Sequence, residues 1–146
     1  MLTNDSPALV LAGACTLIAA LAHLACVAGG PAWYRAMGAG PRMVRAAEQR
    51  HWKAPVITLG IAAVLTLWAA HAWSAASLLP KLPLQAVALP TIASVFLARG
   101  LLFPLLKRHF PGNSTAFWYW SSGICLALGL LYLVGLWQAW SRPGVA

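Results

Sequence analysis

Four apolar stretches, near residues 8–29, 55–74, 82–106 and 116–140, occupy most of this 146-residue chain, and each is long enough to cross a bilayer as a helix. A hydrocarbon core about 30 Å thick takes ~20 helical residues to span. Within hydrocarbon the backbone must satisfy its own N–H and C=O groups, which leaves only helices or closed barrels. Unbroken apolar runs of this length point to helices. The expected fold is therefore all-α, an integral membrane four-helix up-down bundle forming one domain over residues 1–146. Composition agrees: 61% of residues are hydrophobic and 8% charged, with Asp5 and Glu48 the only acids. That is too little polar surface to cover a water-soluble fold.

Placement of charge gives the orientation. Five basic residues (Arg35, Arg42, Arg45, Arg50, Lys53) lie between the first and second stretches, and Lys107 and Arg108 lie between the third and fourth. The tails and the remaining connection hold only Lys81 and Arg142. Cytoplasmic loops collect Lys and Arg, so both termini are expected on the periplasmic side of a bacterial inner membrane. The net charge of +8 is thus a matter of topology and is not spread over a face as nucleic-acid binding would require. The opening MLTNDSPA contains no Lys or Arg, whereas signal peptides start basic, so the first stretch is expected to be retained.

Local signals refine this outline. Gly29, Gly30 and Pro31 should stop the first helix, with Trp33 and Tyr34 in an interfacial aromatic belt. Residues 41–53 combine bases with Met43, Val44, Ala47 and Trp52, which suits a short amphipathic helix on the cytoplasmic surface or a solvated loop. Pro90 and Pro104 should kink the third stretch, and Asn113 or Ser114 should cap the fourth. Trp118 and Trp120 at one end of the fourth stretch, with Trp137 and Trp140 at the other, read as belts. Small residues at helical spacing (Ala12, Thr16, Ala19, His23, Cys26, Gly30; and Ser121, Cys125, Gly129) mark close helix contacts, within the chain or between copies.

Several chemistries lack their parts. Cys15, Cys26 and Cys125 form no CxxC pair, so thiol redox chemistry is not expected. Glu48 and His51 make half of a di-iron motif, but Glu48 is the only glutamate, so no metal is expected and Glu48 should pair with Arg45 or His51. Counting along oppositely directed helices separates His23 from His71 by roughly 15 Å in height, too far to ligate one haem. No cofactor is expected.

One feature does invite chemistry. His23, Thr58, Arg99, Ser121 and Ser122 all fall five to seven residues from the cytoplasmic ends of their helices. They share a layer roughly 8 to 10 Å inside the membrane. An arginine at that depth costs about 2 to 3 kcal/mol and needs a partner. Glu48 is the one acid available on that side; otherwise the partner is a phosphate, a carboxylate ligand or helix-end carbonyls. These six residues form the candidate ligand-binding set. The same observations also fit Arg99 snorkelling to the interface while His23 bonds the serines as packing glue.

The elements His23 … Gly29-Gly30-Pro31-x-Trp33-Tyr34-Arg35-x-x-Gly38-Ala39-Gly40, then Arg99-Gly100, then Trp120-Ser121-Ser122-x-Ile124-Cys125, run over nearly the whole chain. In them the sequence resembles a group of small four-span proteins of proteobacterial inner membranes. The resemblance implies fold and location and carries no activity. Four-span sterol isomerase-like proteins are similar in architecture only, because their paired intramembrane acids are missing here. Three readings stand: a non-enzymatic accessory or ligand- and lipid-binding protein, alone, as a homo-oligomer or as a complex subunit; a small transporter or lipid-handling protein; and a membrane enzyme with His23 as its acid–base group.

Overall fold

A computed structural model describes residues 6–109 and 112–141. Those residues form six α-helices and no strand: α1 Pro7–Ala36, α2 Gly40–Glu48, α3 Lys53–Ala75, α4 Gln85–Leu101, α5 Phe103–His109 and α6 Thr115–Trp140. Helices α1, α3 and α6 are each long and apolar enough to cross a membrane. Helices α4 and α5 make a fourth crossing if the bent pair counts as one span.

Capping sets the starts. The Ser6 hydroxyl accepts from the Leu9 N–H at 3.3 Å, and Pro7 takes the first helical position, where its missing N–H costs nothing. Ser114, one of the two expected caps, accepts from the Phe117 N–H at 3.1 Å and opens α6.

Two helices depart from the sequence outline. The first does not end at residue 29 but breaks at Gly30 (φ 64°, ψ −152°) and resumes to Ala36. Pro31 has no N–H and its ring crowds the preceding turn, so the chain must leave helical dihedrals just before it, and only glycine takes that conformation cheaply. At its true end Gly38 (φ 72°) closes the helix, with the Ala39 N–H bonded to the Tyr34 carbonyl at 2.9 Å. The third stretch also divides: α4 runs through Pro90, stops at Leu101, and α5 departs at 67°. Pro104 removes one N–H from the ladder there, which accounts for the break falling just ahead of it.

Helix α1 packs on α3 and α6, α4 packs on α6, and α3 meets α4 along a thinner seam. Close approach uses small residues: a Cβ on Gly129 would strike the Leu97 side chain of α4 and its backbone nitrogen. The ladder of Ser121, Cys125 and Gly129 therefore serves contact with α4 inside one chain. At the centre Tyr132 is fully buried; its hydroxyl donates to the Trp68 carbonyl at 3.2 Å and lies 3.2 Å from the Thr16 hydroxyl. The Phe96 ring stacks on Tyr132 and meets Trp68 edge-on. Small and hydroxylated residues (Ala12, Thr16, Ala62, Ala69, Ala72) are buried, while Ile18, Leu21, Leu67, Val87, Ile124 and Leu133 face outward.

Helix α2 is the short amphipathic helix, but its apolar side is turned inward. Val44, with Met43, Ala46 and Ala47, packs against Cys26, Tyr34 and Ala54 and closes one end of the helix cluster. Arg42 and Arg45 remain exposed on the opposite side.

Candidate functional site

The polar residues expected in one layer form three separate groups. The first joins α4 to α6. Arg99, in the last turn of α4 and half-buried, donates through Nη2 to the Ser121 hydroxyl at 2.9 Å and through Nη1 to the Ser122 hydroxyl at 3.5 Å. Its guanidinium lies over the Trp118 ring, 4.9 Å from the centroid. A cation over an indole face is held by the ring quadrupole, and more strongly where water is scarce. Trp118 is 3% exposed, and its Nε1–H is buried with no hydrogen-bond partner among the described residues. No carboxylate of the described residues bonds Arg99.

The second group joins α1 to α3. The Tyr34 hydroxyl donates to the Thr58 hydroxyl at 2.9 Å, and Thr58 in turn donates to the Ala54 carbonyl at 2.8 Å. Tyr34 and Thr58 are both buried beneath α2. Thr58 has thus spent its proton within its own helix and serves Tyr34 as an acceptor.

The third group is at the surface. Glu48 bonds Arg35, not Arg45, His51 or Arg99. The turn at Gly38 folds α2 back against the end of α1, so a residue thirteen positions away is nearer than those one turn along. His51 instead accepts from the Lys53 N–H at 3.2 Å through Nδ1 and stacks on Trp52. His23 stands apart from all three groups. Its Nδ1 meets the Ala19 carbonyl at 2.7 Å. A carbonyl can only accept, so Nδ1 carries the proton, and in the neutral ring Nε2 is left as the free acceptor. No bond joins His23 to Ser121 or Ser122 among the described residues, contrary to the packing-glue expectation.

Depth needs revision as well. Counting along a straight third helix overstates how far Arg99 lies from that end of the molecule. Because α5 swings away at 67°, its seven residues add roughly 6 Å less height than a straight helix would.

The sequence reading overlooked Trp118 and Tyr34, having given both to the aromatic belt. A signal was there. Trp118 lies three and four positions before Ser121 and Ser122, hence on the same helix face. Among the described residues no cluster of three or more His, Cys, Asp or Glu could hold a metal ion. What the Arg99 group offers chemically is recognition: guanidinium N–H donors beyond the two in use, and an indole N–H, in apolar surroundings with no carboxylate supplied. No family model, no curated protein and no solved structure matches the chain.

Proposed function

We propose that this chain is an integral protein of a bacterial inner membrane, an up-down bundle of four crossings with both termini periplasmic. Its role is that of a non-enzymatic binding or accessory protein, and its ligand is an anionic headgroup or a carboxylate held by Arg99. One observation carries this reading: among the described residues a half-buried guanidinium in an apolar helix has two hydroxyls and an indole face for partners, and no acid. Neutral partners leave its charge uncompensated, which is costly in low dielectric. An oxyanion would supply the charge and take up unused N–H groups in a bidentate pair. The outward-facing Ile, Leu and Val side chains and the clustered bases support the membrane setting. Since the Gly129 face is occupied by α4, any self-association or docking into a larger complex would use the other lipid-facing sides.

The alternative of a lipid-handling protein or small transporter draws on the two helix breaks, at Gly30 and at Leu102, which fall towards the same end as Arg99. Broken helices at a binding level are a device of transporters.

The test is to purify wild type, Arg99→Lys and Arg99→Leu from the same membranes and compare co-purifying lipids and thermal midpoints. Both variants are expected to lose the bound anion, since an ammonium does not reproduce the planar fork. Should Arg99→Leu be the most stable and all three carry the same lipids, there is no ligand at Arg99.

A further inference from the structure

We propose that the groove between α2 and the start of α6 is a second binding site, for a phosphate group at the membrane surface. It is separate from Arg99 and rests only on the reading that the chain spans a membrane. The groove encloses about 440 Å³, within the ~300–1,000 Å³ usual for small-ligand sites. Arg35, Arg45 and Glu48 line one wall, and Asn113 and Ser114 line the other. Two guanidiniums face one carboxylate, a net charge of +1. Glu48 bonds Arg35, and the Arg45 guanidinium has no hydrogen-bond or ion-pair partner among the described residues. The cleft is therefore furnished with one braced cation and one free cation.

The backbone keeps the two walls close. Gly40 (φ 80°) sits so near Asn113 that a Cβ there would collide with the amide oxygen. Because the apolar side of α2 is spent on Tyr34 and Ala54, the helix presents its arginines from a fixed platform. Exposed Trp33 and Trp52 flank this end of the molecule, at the height where headgroup phosphates lie. A phosphate set between Arg45 and the free side of Arg35 would complete the charge balance and take bidentate bonds.

The chemistry is shared by a lipid headgroup and by free phosphate, and two arms separate them. In the first, the full-length chain is placed in nanodiscs of phosphatidylcholine doped with a little phosphatidylglycerol. Native mass spectrometry then reads which lipids stay bound. Wild type should retain the anionic lipid above its bulk fraction, and Arg45→Gln should lower that retention about tenfold, the worth of one charged hydrogen bond. Arg42→Gln, on the same helix but outside the groove, should leave retention unchanged. In the second arm, millimolar inorganic phosphate is added to delipidated protein in detergent. A rise in the thermal midpoint for wild type and not for Arg45→Gln supports the groove with free phosphate as its ligand. Selective lipid retention with no such rise supports it with a headgroup. Equal losses in Arg42→Gln and Arg45→Gln, or no selective binding in either arm, would overturn the proposal. A topology opposite to that proposed would move the groove to the other leaflet and leave the Arg45–Arg42 contrast intact, so the two failures are read separately.

Discussion

Tyr34 and Thr58 are joined by one hydrogen bond, yet removing its two ends should not cost the same. Tyr34→Phe deletes a donor, and Thr58 keeps its bond to the Ala54 carbonyl, so the loss is about 0.5–1 kcal/mol. Thr58→Val leaves the Tyr34 hydroxyl buried with nothing to bond, which costs about 1–3 kcal/mol. Thermal midpoints in one detergent should rank wild type, then Tyr34→Phe, then Thr58→Val; the reverse order of the two variants would show that the hydroxyl finds another partner. Residues of this kind were only partly legible. Arg99 with Ser121 and Ser122 could be found because a cation inside a long apolar stretch is rare and height can be counted along a helix. Trp118 could not be found by height alone. It is 3% exposed where Trp120, two residues on and roughly 200° around the helix, is 75% exposed. A belt assignment registers how deep a tryptophan lies and not which way it faces. Glu48 was given to neighbours in sequence, whereas its partner is supplied by the turn that folds α2 onto α1.

At the scale of elements, the contact between α4 and α6 depends on the absence of a side chain at Gly129. A Cβ there would already lie 2.7 Å from the Leu97 side chain and 3.1 Å from its backbone nitrogen. Gly129→Leu should force α4 and α6 apart, at a cost of about 1–3 kcal/mol or more. The expected readout is a lower thermal midpoint with unchanged particle size in detergent; a change in oligomer size alone would put the glycine at a contact between chains. The long apolar helices were legible because their length and composition have few other solutions. Their ends were less so. Gly29-Gly30-Pro31 was read as a stop and is a break, because Tyr34 beyond it finds Thr58 and Val44 to bury against. Pro104 reads as a kink in the third stretch, and the chain does bend beside it, by 67° between α4 and α5. The first outcome turns on tertiary partners that the helix end finds only once its neighbours are in place; the second is local, since Pro104 has no N–H for the ladder.

At the scale of the molecule, the proposed orientation rests on seven Lys or Arg residues in the connections on one side against two on the other. A reporter fused after Ala146 should be active only when it works outside the cytoplasm. Activity of a cytoplasm-dependent reporter at that position would invert the topology and place Arg99 towards the outer leaflet. The packing of α1 on α3 and of α4 on α6, with a thinner seam between α3 and α4, also bears on how such a chain is made. Helices that pack most closely belong to the same half of the polypeptide, residues 7–75 or residues 85–140. During synthesis the first hairpin has its main partners in hand before the second leaves the ribosome. In the membrane setting proposed above, each can enter the bilayer with much of its polar interior already covered: Tyr34 matched to Thr58 in the one, Arg99 matched to Ser121 in the other. The bond from Tyr132 to the Trp68 carbonyl is different, because it joins the halves and has to wait for both. It is the closing stitch of assembly.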